Sequence, residues 1–502
     1  MPDDAMLSVG SVHGRGNVYK QIYCSGVASL LQLMQGCVIP ISSIILPQIQ
    51  SSNSEFSITK DQGSWFASFL CLGFLTGAVV GWIQSEYFGR KKSLMIDGFI
   101  ATGGILIISF TRSYPLLIFA RFLCGHASGS GTVSIPIYCS EVSHPEIRGV
   151  TASFIATFYY LGYSITTVLG ASLPWRLATA LVAIFPTVSV ILLCFCPESP
   201  VWLLRKGKDV EAMKSLLFFR GSESAAEEEK QTIMASLLWQ NKDNQACGTR
   251  SAKIQQCIKR IQSPSFWKPF LIIFFMLVVL TEWSGLPLIA FYMIDILGQV
   301  GLPCDPYKFA SFLAIARLII SKVSLAFLYK CRKRPLYFTS ISFMILGNII
   351  ISTYDYLHKN GYFEEWGISH IEIIKWIPAF GLAMLYCSAS AGYVQITYSI
   401  QGELFPSDTR ALGGGAIGIC DGISLFLSTK AGPSIIEILD ISGFFALNAF
   451  VLLSCLIFTF FFLPETYGLH LEEIESIFLG KDDTKKNEIK GENEKQEKIM
   501  VP

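Results

Sequence analysis

Long apolar stretches alternate along the chain with short polar breaks, and the stretches share a common length. Twelve of them (22–46, 63–83, 93–110, 115–139, 149–172, 175–196, 269–292, 309–328, 336–354, 376–400, 411–438 and 443–463) are mostly apolar. A helix crossing ~30 Å of hydrocarbon needs about 20 such residues. The stretches are apolar nearly all round, without the polar face of a soluble amphipathic helix, and none alternates as barrel strands do. Twelve transmembrane helices are therefore expected.

Composition supports that class. Of 502 residues, 51% are hydrophobic and only 15% charged, too little charge to clothe a soluble surface of this size. Residues 1–20 are polar, and the first apolar run is too long for a leader and lacks a small-residue cleavage site, so no cleavable signal peptide is predicted. The fourteen cysteines fall mostly inside apolar runs and form no disulfide pattern.

The net charge of +1 hides where the charges lie. With the N-terminus in the cytoplasm, the outer loops hold only Lys60, Arg112, Arg176, Lys308, Lys359 and Lys375. Arg121, Arg317, Lys322 and Lys430 fall within runs, and the other cations lie in inner segments. The excess of cations on the cytoplasmic side predicts that both termini are inside.

The chain also repeats itself. Gly89-Arg90-Lys91-Lys92 follows the second run, and Arg332-Lys333-Arg334 follows the eighth. Glu141 and Arg148 stand seven apart after the fourth run, as Glu403 and Arg410 do after the tenth. Pro197-Glu198 follows the sixth run and Pro464-Glu465 the twelfth. Topology alone asks for cations, not for acids and prolines at matched places. The expected architecture is an all-α membrane protein of two pseudo-symmetric six-helix bundles, 22–196 and 269–463. A cytoplasmic segment (1–21) precedes them, and a linker with short amphipathic helices (197–268) joins them. A cytoplasmic tail (464–502) follows, charged and disordered after 480.

"GRKK", "RFLCGHASG", "PESPVWLLRKGK" and "PETYGLHLEEIESIF" together resemble the sugar porter branch of the major facilitator superfamily, over nearly all of 22–480. "FLSTK" at 426–430 is most similar to the insect facilitated trehalose transporters. The resemblance implies two bundles rocking about a central site that opens to one side at a time. In that cycle Glu86, Gly89, Arg90, Glu141, Arg148 and Glu198 on one bundle form a cytoplasmic gate. Lys333, Arg334, Glu403, Arg410 and Glu465 are the matching set on the other.

The resemblance also implies a midplane sugar site of amides and an aromatic, groups that bond hydroxyls and cover an apolar ring face. This chain departs from it. Thr281-Glu282-Trp283-Ser284-Gly285 stands where the family has Gln-Gln ahead of Ser-Gly, and Pro287 takes an Asn position. Ala156 takes the fifth-helix Gln position, Arg317 the eighth-helix Asn position, and Asp421 a polar position of the eleventh helix. The tenth helix reads Tyr393-Val394-Gln395-Ile396-Thr397-Tyr398 in place of Gly-Pro-x-Pro-Trp. An ionisable group in hydrocarbon costs at least about 2.5–3.5 kcal/mol, so it faces a cavity or a partner. The candidate substrate residues are Thr281, Glu282, Gly285, Tyr292, Arg317, Gln395, Tyr398 and Asp421. A structural Glu282–Arg317 pair is the alternative for two of them.

"GGGAIG" at 413–418 follows no strand and opens a membrane run, so it reads as close helix packing and not as a dinucleotide loop. The sequence offers no phosphate-cradling loop, metal-ligand cluster or nucleophile constellation, and its six His are scattered. The expected protein is thus not an enzyme and has no cofactor, metal or nucleic-acid partner. Its expected partners are the lipid bilayer and a small solute, a sugar (trehalose or a hexose) or similar polyol, moved facilitatively across the plasma membrane. Two alternatives are proton-coupled symport, with Glu282 or Asp421 titrating, and a non-transporting sugar sensor.

Overall fold

Thr59 and Gln62 show how a polar break becomes a helix start. The Thr59 hydroxyl accepts the Gln62 N–H at 3.2 Å, and the Gln62 side chain accepts the Thr59 N–H at 3.0 Å. This reciprocal cap satisfies two of the donors that a helix leaves open. Behind it 29 residues, Lys60–Phe88, run as one helix. The computed structural model describes residues 17–50, 56–246, 264–328, 332–367, 372–405 and 410–465, and their ordered segments are helical throughout. Hydrocarbon leaves a backbone N–H no other partner.

In chain order the helices are α1 (Val18–Val38), α2 (Pro40–Ile49), α3 (Lys60–Phe88), α4 (Arg90–Phe110), α5 (Tyr114–Val142), α6 (Arg148–Ser172), α7 (Trp175–Val182) and α8 (Ile184–Leu193). Three helices of the linker follow: α9 (Pro200–Arg205), α10 (Asp209–Arg220) and α11 (Glu223–Ala246). Then come α12 (Pro264–Ile273), α13 (Leu286–Val300), α14 (Pro306–Leu328), α15 (Lys333–Lys359), α16 (Tyr362–Glu365), α17 (Ile377–Ser388), α18 (Val394–Leu404) and α19 (Arg410–Phe462). Among the described residues, nine stretches are long and apolar enough to cross a membrane. The more polar α5 and α14, and the division of the 53-residue α19 at Asp440 (φ 58°), bring the crossings to twelve. Apolar side chains such as Trp82, Phe99, Phe110 and Ile191 point outward, as a lipid-facing surface requires.

The chain divides into two compact units. One comprises Met1–Gly248 with Ala290–Asp295 and Pro306–Leu318, and the other the remainder. In the first unit α3 and α5 touch backbone to backbone. A Cβ on Gly73, Gly77 or Gly129 would stand 2.0–2.2 Å from a carbonyl of the opposite helix. Only glycine permits that approach, and it is how membrane helices gain packing where no hydrophobic drive exists. Arg121 of α5 is fully buried; it donates to the Val38 carbonyl and the Ser42 hydroxyl, and its guanidinium lies over Phe66. It thereby holds the junction at which Pro40 interrupts the first crossing.

The helix α10 docks on the same unit. Phe219 is buried among Cys24, Leu31, Tyr138 and Leu193, and its carbonyl accepts the Asn17 N–H and the Gln21 amide. Arg220 pairs with Glu229 of α11. The linker residues 247–263 and the tail from 466 onward, with the expected disorder after 480, lie outside the described residues.

In the second unit, α15 packs on α17 through Gly347 and Gly381. The fold-back at Asp440 is tied by Asp355, whose carboxylate accepts the Ser442 N–H at 2.9 Å and the Lys359 ammonium at 3.2 Å.

Candidate functional site

Two crossings of the second unit lose their regular winding. The seventh begins as α12, widens to a π-helix at Phe274–Thr281, and turns through 282–284. It restarts as α13 after Gly285, a left-handed residue with φ 83°. The tenth is α17, a π-helix at Ala389–Tyr393, then α18. A π-turn frees backbone groups and is a frequent mark of a functional site. Side chains take up the freed groups here. The Thr281 hydroxyl donates to the Met276 carbonyl at 2.9 Å, and the Tyr393 N–H donates to the Ser340 hydroxyl at 2.9 Å.

The two irregular segments meet. The hydroxyls of Thr281 and Tyr393 lie 3.2 Å apart, and the Tyr393 ring stacks on Tyr337 with centroids 5.5 Å apart. Beside Thr281, Glu282 is buried, its Oε2 has no hydrogen-bond partner, and Asp421 of α19 is its electrostatic neighbour. The Trp283 indole donates to Ser424 at 3.1 Å, and Ser424 donates to the Val278 carbonyl at 2.7 Å. Ser424 stands about one turn beyond Asp421, so this pin brings Asp421 toward Glu282. Gly285 is required twice, by its φ and because a Cβ would lie 2.1 Å from Nδ2 of the buried Asn448.

Two further candidates of the second unit are placed differently. Gln395 is held between helices: its amide donates to the Ser321 carbonyl at 3.1 Å, and its oxygen accepts Ser324 at 3.1 Å. Tyr398 is half exposed. Tyr292 and Arg317 belong to the first unit. Tyr292 is buried within electrostatic range of Arg121 and Asp295. Arg317 lies over the rings of Tyr160 at 5.1 Å and Tyr163 at 6.0 Å.

The charged residues around "GRKK" form a network inside the first unit. Arg90, 2% exposed, donates to Glu141 at 3.0 and 3.2 Å, to Glu86 at 2.8 Å and to the Ser85 carbonyl at 3.1 Å. Glu86 also takes Arg205 at 3.1 Å, and Glu141 takes the Ser199 hydroxyl. Glu198 accepts the N–H of Lys91 and of Ser199. Burial pushes the Glu198 carboxyl above its ordinary range, against the pull of those donors. Arg148 is exposed and makes no ion pair among the described residues. In the second unit, Glu465 accepts the Arg334 N–H at 3.3 Å, the Arg334 guanidinium donates to the Phe460 carbonyl, and Lys333 donates to Ser399. The side chains of Glu403 and Arg410 lie outside the described residues.

Ser199, Trp202 and Arg205 join this network from α9 and its cap, although only Glu198 drew notice in the sequence. A second buried cluster was also passed over. Asp97 of α4 accepts Gln84 at 3.0 Å and Ser130 at 2.8 Å. An acid inside the third apolar run was the available signal.

A family model described as "Sugar (and other) transporter" matches residues 24–478. The chain belongs to that family. It is therefore a multi-pass membrane transporter and not an enzyme. Among its relatives, the facilitated trehalose transporter Tret1 of Drosophila yakuba is 25% identical over 465 residues, 92% of this chain and 52% of the relative. The chain thus spans about half of that protein's length. The Tret1-2 homolog of Drosophila sechellia is 26% identical, with 92% of both chains covered. Among solved structures, the xylose transporter XylE from E. coli in its inward-open conformation matches with a TM-score of 0.71 at 17% identity. That match covers 90% of this chain and 98% of XylE. It shows the twelve-helix, two-bundle fold of the major facilitator superfamily.

Proposed function

We propose that this transporter carries a sugar (trehalose or a hexose) or a similar polyol down its gradient by alternating access. In this reading 22–196 and 269–463 are the moving bundles, 197–268 is their linker, and the protein sits in the plasma membrane with both termini cytoplasmic. The observation that carries the reading is the meeting of two π-helical breaks at Thr281 and Tyr393. Irregular backbone at membrane depth is tolerated where it lines a solute cavity, and discontinuous helices form the substrate sites of secondary transporters. The facilitated trehalose transporters among its relatives support the choice of solute class.

The charged sets are then the cytoplasmic gate. The Arg90 network keeps the ends of α3, α4, α5 and α9 together as one block, so that opening is a motion of the block and not of single helices. Arg148 makes no ion pair among the described residues, and in this reading it is free to engage other surfaces during the cycle.

Purified protein in liposomes tests the function. Counterflow of labelled trehalose, glucose or a polyol is expected, and binding without counterflow would overturn it in favour of a sensor. The paired acids Glu282 and Asp421 favour one second reading, proton-coupled symport. Accumulation above equilibrium under an imposed proton gradient would establish it.

A further inference from the structure

Glu282, Asp421 and Asn448 place an unusual set of atoms around one helix break. Glu282 is 5% exposed and its Oε2 lacks a hydrogen-bond partner; Oδ1 of Asp421 also lacks one. Asn448, 2% exposed, directs an unpartnered Nδ2 at Gly285, the residue that ends the break begun at Thr281. A cluster of acids on its own would show little. Here a buried amide from a third crossing points independently into the same place.

Burying a carboxylate is costly unless a charged or hydrogen-bonding partner compensates it. No cation of the second unit is recorded against either acid among the described residues. Their neighbours are neutral or aromatic: Tyr393 beside Glu282, and Trp283 with Ser424 beside Asp421. A neutral sugar hydroxyl donates one bond and brings no charge. A primary ammonium brings three donors and the missing charge at once. Such charge-assisted bonds are roughly twice as strong as neutral ones.

On the reading that this protein is a sugar or polyol carrier, we infer that its site selects solutes bearing a protonated amine. An amino sugar or amino polyol would place its ammonium between Glu282 and Asp421, with Asn448 donating to a ring or hydroxyl oxygen. Neutral hexoses are then the poorer cargo.

The test uses the full chain in liposomes with three probes built on one pyranose ring: glucosamine, its neutral N-acetyl form N-acetylglucosamine, and the near-isosteric glucose. Glucosamine is expected to show a half-saturation at least about tenfold below that of N-acetylglucosamine, the ratio expected for one well-compensated charge. Glu282→Gln combined with Asp421→Asn is expected to bring that ratio to about one. Calorimetric binding of the same probes to the unsubstituted protein gives a reading that does not depend on translocation or on the variant's folding. Amine-selective binding without counterflow would overturn the carrier function and support the pocket. Equal binding and equal counterflow of the three probes would overturn the pocket and leave the carrier standing. Acceleration by an inward proton gradient with no preference for the amine would also overturn it, since a proton would then be the compensating cation.

Discussion

Both carboxylate oxygens of Glu198 accept the backbone N–H of Lys91, at 3.0 and 3.2 Å, across 107 residues of chain. The helix α4 begins after Gly89 with no side-chain cap of its own. Its open donors carry the positive end of the helix dipole. Glu198 thus caps α4 from the segment that follows α8, and Glu465 does the same for the Arg334 N–H at the start of α15. The duplicated Pro-Glu motif is a duplicated fastening.

Removing the cap is expected to loosen the first unit. Glu198→Ala should cost about 0.5–2 kcal/mol, the range for a lost helix cap, whereas Glu198→Gln keeps an acceptor and should cost less. Thermal unfolding in detergent reads the order. The same residue gives a pH signature. Burial raises its folded carboxyl value, so its stabilising contribution is complete below the unfolded value and is lost as pH rises through the folded one. The melting temperature of the wild type should decline as pH rises above the ordinary carboxylate range, and Glu198→Gln should flatten that decline.

Arg90 and Arg148 are separated by their surroundings. Arg90→Ala leaves Glu141, 13% exposed, without its cation and leaves Glu86 only Arg205, a loss of about 3–5 kcal/mol by analogy with broken buried pairs. Arg148→Ala removes an exposed side chain and should change stability within about 0.5 kcal/mol. Size-exclusion profiles after heating should show Arg90→Ala aggregating early and Arg148→Ala matching the wild type. A slower uptake rate for Arg148→Ala would then report the gate directly.

Gly89 has φ 98°, and a Cβ there would meet the Glu198 carboxylate at 2.5 Å. Gly89→Ala should destabilise by more than about 1 kcal/mol. Gly414→Ala, with nothing within 4 Å of its added Cβ, should be neutral or stabilising by about 0.5–1 kcal/mol. The contrast is measured by melting temperature at equal expression.

Gln395 spends its amide on Ser321 and Ser324. Gln395→Ala should therefore lower thermal stability by about 0.6–2 kcal/mol, the range for an interhelical polar contact in membranes. Its half-saturation for solute should stay near the wild-type value. Glu282→Gln should shift half-saturation instead. Transport titrations on both variants separate the two roles.

The crossings were legible because hydropathy reports what lipid demands, and lipid demands it along a whole helix. The fastening at Glu198 was half legible: its repetition marked it out, but repetition could not say that it caps α4. The break at 281–285 showed as an acid and a Ser-Gly pair among apolar residues, which did not say that the helix is interrupted there. The π-turns that join it to Tyr393 depend on hydroxyls reaching backbone carbonyls, and apolar runs carry no trace of that. The sequence pairs Arg317 with Glu282 only as one alternative, and the stacking of its guanidinium over Tyr160 and Tyr163 within the first unit is not signalled by charge patterning. Charge complementarity ranks partners without knowing which face a helix turns. Ser199 and Arg205 were overlooked because a six-residue helix such as α9, Pro-Val-Trp-Leu-Leu-Arg, is too short to show a period that would single out its polar ends.

The glycine contact between α3 and α5 has a mechanical consequence. At Gly73, Gly77 and Gly129 carbonyls press against bare Cα atoms, so at those positions no rotamer lies between the two helices to yield. The pair behaves as a single stiff spar through the first unit, and any bending during a transport stroke has to be absorbed by neighbours that touch through longer side chains. The hinges of this carrier should be sought where glycine is absent from the seam.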